Sequence, residues 1–105
     1  MVAFSQGETD AQNYADAIIW EWQFSQFVNS LRADIGNVPV VYTQLGAYNG
    51  NELYPYWNVV KQRQAMVNMP CVAMVVTDDL PMVFPHYTTS VYDVIAQRMA
   101  QAVCQ

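Results

Sequence analysis

Ser5-Gln6-Gly7-Glu8-Thr9-Asp10 places a hydroxyl, an amide, a turn glycine and two carboxylates within six residues. Gly7 permits a tight backbone, and a helix opening beside it offers unpaired N–H groups. The Gln6 amide adds a side-chain donor, so this turn has the parts to stabilise a developing oxyanion. The same spacing also describes ordinary helix capping around a turn glycine, and the residues alone leave both readings open. His86 is the sole histidine and follows Pro85. An imidazole with an ordinary pKa near 6.5 suits a general base, and it equally suits an exposed loop. Asp78 and Asp79 either orient that imidazole or open a turn ahead of Pro81.

The elements that must position these groups alternate in period. Val2 to Ser5 is a short apolar run. A helix is predicted from Thr9, with Thr9 and Gln12 as a capping box and Asp10 near its positive end. Ala17, Trp20, Phe24, Phe27 and Leu31 recur at spacings of three and four, a buried helical stripe that stops at Gly36. Pro39 to Leu45 reads as a strand, and Gly46 to Leu53 as a loop. Tyr56 to Asn68 reads as a helix with Trp57, Val60, Gln64 and Val67 on one side, ended by Pro70. Cys71 to Thr77 is the most continuous apolar run and is predicted to be a central strand. Asp78 to Thr88 is predicted as a loop, followed by a helix from about Thr89 with Ser90 and Asp93 as a capping pair. Val91, Ile95, Met99 and Val103 form its stripe.

The order β-α-β-α-β-α predicts an α/β fold: a short parallel sheet of about three strands flanked by helices, a partial flavodoxin-like α/β/α sandwich. Ligands of open α/β sheets bind at the carboxyl ends of the strands. Those ends are Ser5 to Asp10, Gln44 to Leu53 and Thr77 to His86, so the fold itself gathers the candidate chemical groups. Tyr14, Tyr48, Tyr54 and Trp57 offer aromatic faces of the kind that stack on sugars. The helical positions of Tyr14 and Trp57 favour the core instead.

With 105 residues, 53% of them hydrophobic, the chain is expected to form one domain and is not a disordered segment. Only 12% of residues are charged, against roughly 25% in ordinary soluble domains. Either uncharged polar residues cover the surface or another chain covers part of it. Four basic residues against nine acidic give a net charge of −5, which argues against nucleic acid as a partner. No apolar run reaches the roughly 18 to 20 residues that span a bilayer, so no membrane partner is expected. Residues 1–10 show no export signal, and the cellular location is not legible. Cys71 and Cys104 are too few for a disulfide scaffold and too isolated for zinc. A strand and its returning helix bring them to the same side of the sheet, so they form a disulfide or remain two reduced thiols.

The block Phe4-Ser5-Gln6-Gly7-Glu8-Thr9-Asp10 resembles the W-x-Q-G-E-[ST]-[DN] block of SGNH hydrolases related to sialate O-acetylesterases and carbohydrate acetylesterases. Further stretches are similar in order: Leu31-Arg32 with Gly36, Gln44-Leu45, Trp57 with Arg63-Gln64, and Asp79-Leu80 with His86 and Arg98-Met99-Ala100. The resemblance covers essentially the whole chain. It implies a sandwich that removes O-acetyl groups from sugars by a Ser-His-Asp arrangement without a cofactor or metal. By carry-over Gln6 is the oxyanion donor and His86 the general base, while Gly7, Glu8 and Asp10 shape the cleft.

The family's nucleophilic Ser lies in a Gly-x-Ser block, and no Gly-x-Ser occurs in these residues. The acid expected three residues before His86 is replaced by Val83, and Tyr87 follows His86 where proline is usual. Valine cannot hold the tautomer of an imidazole. The resemblance therefore implies a domain lacking the nucleophile block and inactive alone. The alternative is a non-catalytic assembly or carbohydrate-binding module. It also implies that the first strand has lost a neighbour. The buried area at stake is worth several kcal/mol at about 25 cal/mol per Å2. The expected partner is a second copy, in a two-fold dimer through the first strand, or a missing N-terminal half that supplies the absent groups.

Overall fold

The computed structural model describes residues 2–80, 82–83, 86–87 and 89–102, with side chains described for 2–80 and 91–102. It is an α/β fold. Strands β1 (Val2–Phe4), β2 (Val40–Thr43) and β3 (Val72–Val75) form a parallel sheet in the order β1-β2-β3. The register aligns Val2, Val40 and Val72, then Phe4, Tyr42 and Met74. Parallel neighbours need a crossover. Between β1 and β2 it is a 3-10 turn (Thr9–Gln12) followed by α1 (Tyr14–Ile18) and α2 (Trp20–Ile35). Between β2 and β3 it is α3 (Trp57–Gln64), and α4 (Thr89–Gln101) closes the chain.

Alternation along the strands sends side chains to two cores. Val40 and Tyr42 of β2 point to α2 and α3, where Trp20, Phe24, Val28, Trp57 and Val60 are buried. Val41 and Val75 point the other way, against Val91, Ile95 and Met99 of α4. The helices therefore cover both faces of the sheet, giving three layers. All four β2 residues are buried. At the foot of the sheet the Arg32 guanidinium donates to the carbonyls of Val38, Pro70 (2.7 Å) and Cys71, tying the last turn of α2 to the chain entering β2 and β3.

Several local expectations are corrected. The first helix is three pieces, not one, and Thr9 does not cap it. Asn13 adopts an extended conformation, and its Oδ1 accepts from the backbone N–H of Ala15 (2.9 Å) and Asp16, which makes it the cap of α1. An asparagine immediately before a helix-forming run competes with continuous helix by offering this local bond. The stripe also shifts: Val28 is fully buried while Phe27 is 41% exposed. α2 does stop at Gly36, whose φ of +91 suits glycine and whose N–H returns to Arg32 O. Cys71 to Thr77 yields an edge strand of the described sheet, and β2 is the central one. A continuous apolar run reports that both faces are covered by helices, and β3 packs into both cores without a second strand neighbour among the described residues. The stretch read as a loop after Asp78 contains a short antiparallel ladder, β4 (Met82–Val83) with β5 (His86–Tyr87). The Ser90 side chain of the capping pair lies outside the described residues.

Of the four aromatic residues considered for sugar stacking, Trp57 is fully buried. Its indole N–H donates to Gly46 O (2.7 Å), and Tyr48 and Tyr54 pack on its ring. Tyr14 is not in the core. It is 54% exposed and lies against Tyr56. No described helix is long and apolar enough to cross a membrane.

Candidate functional site

The carboxyl ends of the three strands are fastened to one another by neutral hydrogen bonds. After β1 the chain turns through Ser5, Gln6 and Gly7, and Thr43 Oγ1 at the end of β2 donates to Ser5 Oγ (2.7 Å). Gly7 is buried with φ +138, a conformation that side chains disfavour. A Cβ there would lie 3.0 Å from Val60 Cγ1 and 3.1 Å from Gln64 Nε2. Glycine is thus required both by the turn and by the approach of α3. Gln64, fully buried, donates from Nε2 to Gln6 O (3.0 Å) and accepts at Oε1 from Leu45 N–H (2.7 Å). Gln44 Nε2 donates to Lys61 O (2.9 Å), and Thr77 Oγ1 donates to Gln44 O.

Beside this turn, Phe4, Gln6, Asp10, Trp20, Gln23, Phe24 and Phe27 line a cleft of about 270 Å3 between β1 and α2. One wall is aromatic: Phe4 packs on Phe24 and Phe27 at 5.3 Å, and Trp20 stacks on Phe24 at 5.0 Å. The polar groups are the amides of Gln6 and Gln23 and the Asp10 carboxyl. Burial raises the Asp10 pKa above the ordinary carboxylate value, and the nearby Asp16 charge adds to the rise. A second cleft, of about 180 Å3, lies on the opposite face of β1 against Tyr92, Ile95, Ala96 and Met99 of α4.

The structure brings Gln6, Gly7 and Asp10 to one place, with Glu8 entering the 3-10 turn behind them. Asp78 pairs with Lys61 of α3. Asp79 turns to α4, where Arg98 holds both its oxygens at 2.7 and 2.6 Å. These hydrogen bonds and the guanidinium charge lower the Asp79 pKa to about 2. The backbone of His86 lies in β5 opposite Val83, so the residue standing at the expected acid position is its cross-strand neighbour. The His86 side chain lies outside the described residues, as does Cys104, while Cys71 is disulfide-bonded. No group of His, Cys, Asp and Glu able to hold a metal occurs among the described residues.

Sequence reasoning missed the tie made by Gln64. Its signal was present: a glutamine stands on the apolar side of α3 among Trp57, Val60 and Val67. A buried amide on such a stripe must find partners, and here the partners are the two strand-end loops.

A three-layer α/β domain with a donor-bearing turn at the carboxyl end of β1 defines the class. Within it, the family model for carbohydrate esterase, sialic acid-specific acetylesterase (SASA) matches residues 1–105, and the chain belongs to that family, which is of the SGNH hydrolase type. An X-ray structure of a protein from Arabidopsis thaliana superposes with a TM-score of 0.80 at 23% identity, over 98% of this chain and 44% of that one. The chain thus spans less than half the length of that plant protein, and the likeness bears on the fold. No curated protein matches the sequence.

Proposed function

We propose that these residues form the part of a carbohydrate O-acetyl esterase domain that receives the acetylated sugar and its oxyanion, and that they are inactive without a nucleophile block. The carrying observation is the cleft at the end of β1, where an aromatic wall faces Gln6, Gln23 and Asp10. Sugar rings stack on aromatic faces and present hydroxyls to amides and carboxylates. Family membership makes an O-acetyl ester the expected substrate. Gln6 is assigned as oxyanion donor and His86 as general base, with Asp78 and Asp79 as its candidate orienting groups.

A second reading is an assembly module, favoured by the two clefts beside β1, one on each face, at the edge of the described sheet. A second copy docking there extends the sheet across a two-fold axis and fills the same cleft. One preparation tests both. An O-acetylated monosaccharide titrated into 15N-labelled protein is expected to shift the side-chain amides of Gln6 and Gln23 saturably at millimolar concentration. p-Nitrophenyl acetate turnover is expected to stay at the level of an inert protein. A sedimenting dimer that abolishes those shifts would favour the assembly reading, and a monomer with no shifts would sink both.

A further inference from the structure

We propose that Gln64 is the positioning residue of the oxyanion turn, a role that rests on reading Gln6–Gly7 as that turn. The argument begins with the direction of one peptide. Gln64 Nε2 binds the carbonyl of Gln6 at 3.0 Å and so draws it toward α3. In a trans peptide the N–H points opposite to the C=O. The Gly7 N–H is therefore directed away from α3. Without the Gln64 donor the plane loses this hydrogen bond, and glycine is the residue with the widest choice of backbone angles.

The other end of the amide sets the position of the turn. Gln64 Oε1 accepts from Leu45 N–H at 2.7 Å, so a single planar group spans the loops after β1 and β2. The helix that carries it is itself pinned: Tyr42 Oη donates to Gln64 O at 2.6 Å, from the centre of the sheet. The Tyr42 phenol pKa is pushed up to about 12, chiefly by burial and further by the Glu21 charge, so it remains a donor across the working range. Gly7 approaches Gln64 so closely that no side chain fits between them. Leucine at position 64 has the volume to fill this space but neither bond. The amide is there for its geometry, since buried polar groups that are fully satisfied specify one arrangement.

The test compares Gln64→Leu and Gln64→Glu with Val28→Ala, a core change on α2, in amide hydrogen exchange followed by NMR. In Gln64→Leu, exchange at Leu45 is expected to speed up about tenfold beyond the change in Val28→Ala, and the Gln6 and Gly7 resonances to shift. Gln64→Glu keeps an acceptor for Leu45 and loses the donor to Gln6. It is expected to shift the Gln6 and Gly7 resonances while leaving Leu45 protected, and it serves if the leucine variant does not fold. Exchange that rises evenly across the protein in all three variants would overturn the proposal, because a merely structural residue acts through global stability. Acetate supplies the functional arm: its binding is expected to weaken about tenfold in Gln64→Leu and less than about twofold in Val28→Ala. Acetate that binds no form at all would overturn the oxyanion reading, and the exchange data would still decide the role of Gln64.

Discussion

The two faces of the sheet are built differently. On the α2 and α3 face the core is aromatic and wired: Trp57 binds Gly46 O, Tyr42 binds Gln64 O, and Gln64 binds two loops. On the α4 face the core is small and mostly aliphatic, made of Val41, Val75, Val91, Ile95 and Met99. Arg98 there binds Val76 O and the exposed Asp79. Polar ties buried inside a core fix positions, whereas contacts among aliphatic side chains tolerate repacking. The wired face is the one that carries the Gln6–Gly7 turn.

Breaking the wired face should have the largest effect. Trp57→Ala removes a fully buried indole together with its hydrogen bond, and is expected to cost about 3–5 kcal/mol in urea unfolding. A loss below about 1 kcal/mol would mean that the aromatic core does not hold the fold. Ile95→Ala tests the other face. It is expected to cost about 2–3 kcal/mol while leaving the Gln6 and Gly7 resonances in place, because Ile95 belongs to the other core and the Gln64 bonds lie on the α3 face. Movement of those resonances would erase the contrast. The smallest effect belongs to Asp79→Asn. The folded-state pKa near 2 lies below the ordinary 3.8, so the Arg98 bonds stabilise above about pH 4 and are lost as pH falls through 2. The wild type should therefore exceed Asp79→Asn modestly in urea midpoint at pH 6, with the difference closing toward pH 2. A gap independent of pH would show that the pair contributes nothing through charge, the usual fate of exposed ion pairs.

The layered fold was legible because each element has its own period: the stripe through Trp20 and Phe24, the run Val40 to Thr43, and the repeat Val91, Ile95, Met99. The Gln6–Gly7 turn was legible because it falls where a strand meets a helix. Boundaries were less so. Asn13 captures the N–H groups of Ala15 and Asp16 that a continuous helix from Thr9 would pair with carbonyls one turn back, and no hydrophobic pattern reports that competition. The edge position of β3 was hidden because its residues are apolar on both faces, which helices alone explain. Gln64 escaped notice as a site residue since its partners, Gln6 and Leu45, are brought near only by the crossover.

Arg32 has a consequence for how the two ends of the sheet are held. Its guanidinium gathers the carbonyls of Val38, Pro70 and Cys71 at the amino ends of β2 and β3. The opposite rim holds Asp10, a carboxyl that burial and the nearby Asp16 charge make harder to ionise. The base is thus clamped by one charged group on three carbonyls, while at the mouth burial works against charge.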